Sequence, residues 1–292
     1  MYKLSNWIDE IKLYKTIFSL SLNINAIDLL EKNQDKIFWK SLSSNFNAIS
    51  IIEQNLDKIH WNYVSLNKNA IYILEKNIDK IDWLCLSRNE NAIHLIENNL
   101  DKICWNWLSL NPNAVNILEQ NLDKVDWKWL SGNHNAIHIL EKNLDKVCWA
   151  WISLNINAID ILDKNVDKID WKWLSGNPNA IHLIENNLDK VNWTWLSANQ
   201  NAIHILEKNM NKVDWSYLSE NPAAIHILQK NLDKINWQML ASNPSIFELD
   251  YDFLKERCAI YKEELIQKVL HPSRIQKYLD AGYNIDEVYD FM

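Results

Sequence analysis

One tryptophan recurs every 22 residues along most of this 292-residue chain. A period that holds without drift predicts a stack of one supersecondary unit, in which each copy packs against its neighbours. Function in such a chain is expected on a repeated surface rather than in a single pocket. The tryptophans of this column, which we predict to be structural core, are Trp39, Trp61, Trp83, Trp105, Trp127, Trp149, Trp171, Trp193, Trp215 and Trp237.

The first half of each unit has the pattern of a short helix, which we name helix A. In the copy that begins at Asn133, apolar residues between Ala136 and Leu140 fall at helical spacing, and Asn133 occupies the N-cap position. The helix is expected to end near Asn143, because asparagine tolerates the left-handed conformation of a C-cap. Proline follows the capping asparagine and suits a first helical turn at Pro112, Pro178, Pro222 and Pro244.

The second half of the unit, which we name helix B, begins at the column tryptophan. Asp126 stands directly before Trp127 as a candidate N-cap, and Trp127 forms an i, i+3 pair with Leu130 on one face. The same capping position holds Asp170, Asp214, Asn192 and Asn236 in other copies. Two short helices per unit are typical of helical repeat proteins.

These patterns predict an all-α fold, an α-solenoid of about ten 22-residue two-helix repeats with helical N- and C-terminal caps. The alternative is a leucine-rich-repeat-like solenoid, because the segment from Leu130 to Asn133 has a similar look. That pattern requires apolar residues where this chain has Lys128 and Asn135, and strand-forming residues are scarce. We therefore favour the helical solenoid.

The repeated residues of the 22-residue pattern are missing at both ends of the chain, and the points where they stop mark the domain boundaries. Residues 1–22 form a predicted N-terminal cap, residues 23–244 the tandem repeat array, and residues 245–292 a helical C-terminal cap. Terminal repeats need caps, because they would otherwise expose the apolar face that internal repeats bury. In the C-terminal cap, His271-Pro272 is expected to break a first helix, and helices over 273–280 and 284–291 are expected to follow.

The cysteines and the hydropathy of the chain bear on its compartment. No hydrophobic run is long enough to cross a membrane, and no secretory leader opens the chain. Cys104 and Cys148 share one column two repeats apart, roughly 20 Å when each layer adds about 10 Å, which is beyond disulfide reach. Cys85 and Cys258 also lack a partner at a suitable spacing. We therefore expect free thiols, a cytoplasmic protein and no membrane partner.

The repeats and the tail carry a family resemblance. The unit from Trp171 to Glu185, with its Asn-Pro-Asn-Ala-Ile motif, resembles the tandem repeats of uncharacterised proteins from giant, mimivirus-like double-stranded DNA viruses. The tail, with Lys262–Ile266 and His271–Ile275, is similar to the closing segment of those proteins. The resemblance covers about Asn23 to Asn284. It implies a virus-encoded protein that acts in the host cytoplasm, and it brings no catalytic residues.

One position of helix A holds histidine in five repeats and is a candidate binding surface. Layers about 10 Å apart place these imidazoles poorly for sharing an ion, so we expect no metal and no cofactor. We interpret the position as a solvent-facing row with i, i+3 pairs such as His94–Glu97 and His138–Glu141. The candidate partner-binding stripe comprises His94, His138, His182, His204, His226 and Tyr72.

A column of ten lysines runs from Lys36 to Lys234, and an aspartate precedes every one except Lys212. We interpret this column as a ladder of Asp–Lys ion pairs, modest in energy when exposed. The chain carries a net charge of −8, which argues against a nucleic-acid track, because such a track needs basic surface. Tryptophans that stack on bases are the alternative to tryptophans in the core.

The sequence favours binding over catalysis. It contains no glycine-rich phosphate loop, nucleophile elbow or paired metal-ligand cysteines, which argues against an enzyme. Residues that vary between copies lie four apart, as Phe46 and Ser50 do on helix A and Leu84 and Arg88 on helix B. The leading hypothesis is a non-enzymatic protein–protein interaction scaffold with a protein or peptide partner. The alternatives are a modular single-stranded RNA-binding protein and a structural, particle-associated protein.

Overall fold

The chain folds as an all-α repeat solenoid, as predicted. The computed structural model describes residues 2–15 and 17–284. The chain divides into two compact units, Leu4–Phe247, which holds the repeats, and Met1–Lys3 together with Glu248–Met292.

Strands are short and lie outside the repeats in the described part of the chain. Tyr2–Leu4 and Phe247–Leu249 pair in a two-stranded sheet. A leucine-rich repeat would place a strand in every unit, so that alternative does not fit.

Helix A is shorter than the sequence pattern predicts. In the copy that begins at Asn133 it spans Ile137–Glu141, because the preceding residues form a turn in which the N–H of Ala136 donates to the carbonyl of Asn133, 3.2 Å away. The helices A are Ile27–Glu31, Ile49–Glu53, Ile71–Lys76, Ile93–Glu97, Val115–Glu119, Ile137–Glu141, Ile159–Asp163, Ile181–Glu185, Ile203–Glu207 and Ile225–Gln229. The opening turn is a 3-10 helix at Glu90–Ala92, Pro112–Ala114, Gln200–Ala202, Pro222–Ala224 and Pro244–Ile246.

Helix B begins at the column tryptophan, as predicted. Oδ1 of Asp126 accepts the N–H of Lys128 at 3.0 Å and that of Trp129 at 3.2 Å, which confirms this N-cap. Equivalent caps are Asp82, Asp170, Asn192, Asp214 and Asn236. The helices B are Trp39–Ser44, Trp61–Leu66, Trp83–Leu86, Trp105–Leu110, Trp127–Leu130, Trp149–Leu154, Trp171–Leu174, Trp193–Ala198, Trp215–Glu220 and Trp237–Leu240.

The end of helix A does not use the left-handed conformation that the sequence suggests. No non-glycine residue in the described ranges has a positive φ. Asn143 instead donates from its side-chain amide to the carbonyl of Ile139, 2.9 Å away, and so satisfies one of the last helical carbonyls. The connection that follows is a 3-10 turn at Gln34–Lys36, Ile78–Lys80, Val166–Lys168, Met210–Lys212 and Leu232–Lys234.

The interior of the repeat unit is aliphatic. Ala136 and Leu140 of helix A and Leu130 of helix B are fully buried, and each buried leucine contributes about 1.5–3 kcal/mol. The column tryptophans pack against this core but are only half-buried. The tryptophans thus form the edge of the core, and smaller side chains fill its centre.

The asparagine that opens each unit links it to the preceding one. Nδ2 of Asn133 donates to the carbonyls of Ser109 (3.0 Å) and Asn111 (2.9 Å), and its Oδ1 accepts the N–H of Asn135. The side chain is fully buried, so its loss would leave the carbonyl of Ser109 and the N–H of Asn135 without these partners. We call the set of these residues the asparagine ladder: Asn23, Asn45, Asn67, Asn89, Asn111, Asn133, Asn155, Asn177, Asn199, Asn221 and Asn243.

A buried serine joins repeats in the other direction. Oγ of Ser131 donates to the carbonyl of Trp127 (2.7 Å) and accepts the N–H of Cys148 (2.9 Å) in the next repeat. The hydroxyl thereby positions the start of the next helix B. The same two bonds recur at Ser43, Ser65, Ser87, Ser109, Ser153, Ser175, Ser197 and Ser219.

The asparagine ladder closes on itself. Nδ2 of Asn23 donates to the carbonyls of Ala241 (3.0 Å) and Asn243 (2.9 Å), in the pattern that each later asparagine follows with the repeat before it. Nδ2 of Asn25 likewise donates to the carbonyl of Pro244, 3.0 Å away. The first and last repeats therefore contact each other, and the repeats form a closed array.

Closure changes the role of the N-terminal segment. Helices Glu10–Tyr14 and Ile17–Leu20 belong to the unit of the repeats, and Nζ of Lys12 lies 5.1 Å from the ring centre of Trp237. The prediction that residues 1–22 cap an exposed end is wrong for most of this segment. It completes the array, because its helix Glu10–Tyr14 packs against the last helix B, Trp237–Leu240.

The C-terminal segment is helical, as predicted. Helices span Tyr251–Val269 and Pro272–Asp280, and the chain breaks between them at His271, whose side chain accepts the N–H of Ser273. The further helix predicted over 284–291 falls almost entirely outside the described residues.

Candidate functional site

The histidines of the candidate stripe bond to the preceding repeat. Nε2 of His138 lies 2.6 Å from Oε1 of Glu119, 19 residues earlier in the chain. The predicted pairing with Glu141 in the same helix is wrong, because neighbouring repeats place the end of one helix A beside the start of the next. Equivalent pairs, at 2.8–3.0 Å, are His94–Glu75, His182–Asp163, His204–Glu185 and His226–Glu207.

These pairs leave the stripe with few unpaired polar groups. Each imidazole is about half exposed, and His94, for example, is 53 % exposed. Exposed pairs of this kind contribute roughly 0–1 kcal/mol each. Tyr72, in the same column, accepts a hydrogen bond from Lys76, whose ammonium also lies over the phenol ring. The stripe therefore joins repeats to one another on the helix A side.

The lysine column covers the tryptophan column. Nζ of Lys146 lies 4.7 Å from the ring centre of Trp127 in the preceding repeat and 3.3 Å from Oδ1 of Asn143. Such cation–π contacts contribute about 0.5–1 kcal/mol at exposed sites. The predicted ladder of Asp–Lys ion pairs is therefore wrong for most of the column, although Lys80 does lie 3.4 Å from Asp79. Equivalent lysine–tryptophan pairs are Lys58–Trp39, Lys102–Trp83, Lys124–Trp105, Lys168–Trp149, Lys190–Trp171, Lys212–Trp193 and Lys234–Trp215.

A second aromatic column lies two residues after the first, on helix B. Its members contact one another directly, with ring centres 5.0–6.4 Å apart. Each ring is half-buried. We call it the inner aromatic column: Trp107, Trp129, Trp151, Trp173, Trp195 and Tyr217.

Glycine sets the spacing within this column. A Cβ on Gly132 would stand 2.8 Å from Cε3 of Trp151. Because glycine has no Cβ, the ring centre of Trp151 can lie 5.1 Å from that of Trp129. In the next repeat Leu154 occupies the glycine position, and the following indole pair, Trp151 and Trp173, is 6.1 Å apart. Close, tilted pairs and wider, parallel pairs therefore alternate along the column.

The inner aromatic column lies on the concave side of the closed array. The axes of packed helices are about 8–10 Å apart, whereas the ring centres of this column are 5.0–6.4 Å apart. Side chains of neighbouring repeats converge in this way when they point toward the centre of curvature. Helices B also approach one another closely, as Trp149–Leu154 and Trp171–Leu174 do, and no two successive helices A in the described repeats approach as closely. We call this exposed side of the helices B the helix B face.

The helix B face carries more positive than negative side chains. Lys128, Lys172 and Arg88 are exposed at its variable positions, as is Lys40, whereas Glu220 is the carboxylate at those positions in the described repeats. Three of the cations lie over rings of neighbouring aromatic residues at 5.4–5.9 Å: Lys40–Tyr63, Arg88–Trp107 and Lys172–Trp173. The nearby capping aspartates accept N–H groups of their own helices, as Asp126 does.

Small cavities between repeats open beside this face. One of about 340 Å³ is lined by Ser44, Phe46, Leu66, Lys68 and Arg88, among others. A second, of about 320 Å³, occupies the equivalent place between Ala198 and Pro244. Each is large enough for a side chain of a bound segment.

Cys85 takes the position of the inner aromatic column in its repeat. Burial chiefly, together with the charge of Asp82 and a hydrogen bond to it, raises the pKa of this thiol to about 11. The thiol therefore stays protonated at neutral pH and is a poor nucleophile. All four cysteines are free, as predicted.

The sequence pattern predicts a site on the helix A stripe, whereas the structure exposes the inner aromatic column as a second candidate surface. The signal was present, since aromatic residues repeat two positions after the column tryptophan in six consecutive units from Trp107 to Tyr217. What the sequence lacks is the direction of curvature, which decides whether such a column is buried between layers or faces the concave side.

Two features bear on other kinds of site. Within the described residues, no cluster of three or more histidine, cysteine or acidic side chains has the arrangement of a metal site. None of the described helices combines the length and hydropathy needed to span a bilayer.

Comparisons with protein-family models, with curated proteins and with solved structures found no match.

Proposed function

We propose that this protein is a non-enzymatic interaction scaffold that binds an extended protein or peptide segment on its helix B face. The observation that carries the proposal is the half-exposed inner aromatic column on the concave side, next to inter-repeat cavities. Tryptophan, tyrosine and arginine are the residues in which binding energy concentrates at protein interfaces. With the family resemblance of the repeats, the proposal extends to a virus-encoded protein acting in the host cytoplasm.

Protein is favoured over single-stranded RNA by the stacking of the indoles. Single-strand binders stack bases on the faces of aromatic side chains. Here Trp129 and Trp151 lie 5.1–6.1 Å from the indoles on either side of them, so each ring already contacts two other indoles and leaves less room for a stacked base. The net charge of −8 adds a penalty for phosphate groups. A purely structural, particle-associated role would need no exposed aromatic surface, which makes it the weaker alternative.

The helix B face is favoured over the histidine stripe because the stripe is already paired. His182 bonds Asp163, and His204 bonds Glu185, so these groups would have to leave their partners to bind another protein. Replacing these histidines by glutamate would also place each new carboxylate beside the carboxylate of the preceding repeat, and their repulsion would disturb the fold. A sound test of the stripe therefore uses His182→Gln with His204→Gln.

The proposal is tested by affinity capture of the full-length protein from cells that express it, followed by mass spectrometry. The double variant Lys128→Glu, Lys172→Glu alters the helix B face, and Lys142→Glu, Lys164→Glu applies the same charge change to exposed lysines of helix A. We expect the first variant to lose partners that the second retains. Loss in the second variant or in the histidine variant alone would place the binding surface on helix A. No partner above the background of the empty matrix would contradict the scaffold function.

A further inference from the structure

The inner aromatic column presents a row of hydrogen-bond donors. None of its five indole Nε1–H groups has an acceptor among the described residues, and none is buried away from solvent. Because neighbouring rings contact one another along the column, their edges and these donors are the groups that a ligand reaches first. The donors belong to rings 5.0–6.1 Å apart.

An extended strand has a comparable spacing. Carbonyl groups on one side of a strand recur every second residue, at about 6–7 Å, somewhat more than the 5.0–6.1 Å between the ring centres. One dipeptide per repeat therefore brings carbonyl oxygens to successive indole N–H groups. A neutral hydrogen bond of this kind contributes about 0.5–1.5 kcal/mol, so several are needed for useful affinity.

The charges on the same face select for carboxylates. At the variable positions of the helices B, the exposed cations are Lys40, Arg88, Lys128 and Lys172, against the carboxylate of Glu220, while Glu90 lines the cavity beside Arg88. The helix A side is less basic, because an acidic residue ends helix A in nearly every repeat, as Glu119 does, and a lysine follows in only six of them. An acidic segment is therefore attracted more strongly to the helix B face than to the helix A side.

We propose, on the basis of the proposed function, that the helix B face recognises an acidic peptide segment in an extended conformation. The indole N–H groups of the inner aromatic column donate to its main-chain carbonyls, and the lysines and arginine of the face pair with its carboxylates. The cavities beside Leu66 and beside Pro222, which adjoin the repeats at the two ends of the inner aromatic column, receive side chains near the two ends of the segment.

The experiment is selection from a displayed library of random dodecapeptides on the immobilised full-length protein. Affinity of the most enriched peptide is then measured by fluorescence anisotropy. The test variant replaces Lys40, Arg88, Lys128 and Lys172 by glutamine. The matched control makes the same change at four exposed lysines of helix A, Lys142, Lys164, Lys208 and Lys230.

We expect the selected peptides to contain at least about twice the input fraction of aspartate and glutamate. The helix B variant should weaken binding about tenfold, as several exposed pairs together would, and the helix A control should stay within about twofold. Trp151→Phe, which keeps a ring but removes the donor, should weaken binding about fivefold, whereas Trp149→Phe in the lysine-covered column should not.

The negative outcomes separate the two proposals. Enrichment of neutral or basic peptides would overturn the acidic preference while leaving the scaffold function intact. Failure to enrich any peptide above the bare matrix would contradict the scaffold function itself. Tighter binding of a dodecamer of uridylate than of the selected peptide, lost in the helix B variant, would assign the face to RNA instead.

Discussion

Nδ2 of Asn23 donates a hydrogen bond to the carbonyl oxygen of Asn243, which is 2.9 Å away and 220 residues later in the chain. This bond repeats, across the ends of the array, the contact that Asn133 makes to Asn111 within it. Because the geometry is the same at both places, the junction between the first and last repeats is built like any internal junction.

Closure predicts that Asn23→Ala and Asn133→Ala destabilise the protein by similar amounts. Each change leaves one buried carbonyl and one N–H without a partner and removes a second bond from a carbonyl that keeps a backbone partner, which costs about 2–4 kcal/mol in total. Urea unfolding at neutral pH measures the difference in free energy. Asn135→Ala, which removes a more exposed inter-repeat bond, is the control and should cost about 1 kcal/mol. A near-zero effect of Asn23→Ala beside a large effect of Asn133→Ala would contradict closure.

Trp149→Ala should cost about 2–4 kcal/mol, because the half-buried indole packs against the aliphatic core. Lys168→Gln, which removes the cation over that ring, should cost at most about 1 kcal/mol. Chemical unfolding of both variants gives these values. Equal, negligible effects would show that the column does not contribute to the core.

Gly132→Ala should destabilise the protein more than Gly176→Ala. The added Cβ meets an indole carbon at 2.8 Å in the first case and at 3.3 Å in the second. Both glycines lie in the turn after helix B with φ values that alanine can adopt, where alanine gains about 0.4–1 kcal/mol, so Gly176→Ala should be near neutral and Gly132→Ala should cost about 1–2 kcal/mol. Thermal unfolding of the two variants is the measurement, and the reverse order would contradict the described packing.

Cys85 should react slowly with iodoacetamide at pH 8 and faster as the pH rises toward 11, because its pKa is raised from 9.0 to about 11. Mass spectrometry of peptides that contain Cys85 follows the reaction, with Cys85→Ser as the assignment control. Rapid alkylation of native protein at pH 8 would contradict the raised pKa.

The same pKa links Cys85 to stability at high pH. The thiol loses its proton near pH 9 in the unfolded chain and near pH 11 in the folded protein. Its contribution to stability is therefore complete below pH 9 and is lost as the pH rises through about 11. Unfolding of wild type and Cys85→Ser between pH 8 and pH 11 should show a steeper loss for wild type. Parallel curves would contradict this linkage.

The local structure of the repeats was predictable from the sequence. The 22-residue period, the start of helix B at the column tryptophan and the cap at Asp126 all follow from contacts within a few residues. Such contacts depend on residue spacing alone, because the side chain of a capping residue reaches the backbone N–H groups two and three positions later in any helix.

The contacts between repeats were not predictable in the same way. His138 pairs with Glu119 rather than Glu141, and Lys146 covers Trp127 rather than pairing with an aspartate. Both choices depend on the offset between neighbouring helices, and no single repeat contains that information.

Sequence alone thus determined the unit, its two helices and its apolar and polar columns, because these depend on local periodicity. Tertiary structure alone decided that Asn23 meets Asn243 and that the column with Trp151 faces the concave side. The physical reason is that curvature accumulates as a small rotation at every junction. The sum over all junctions determines whether the ends meet and which side faces inward, and no individual residue specifies that sum.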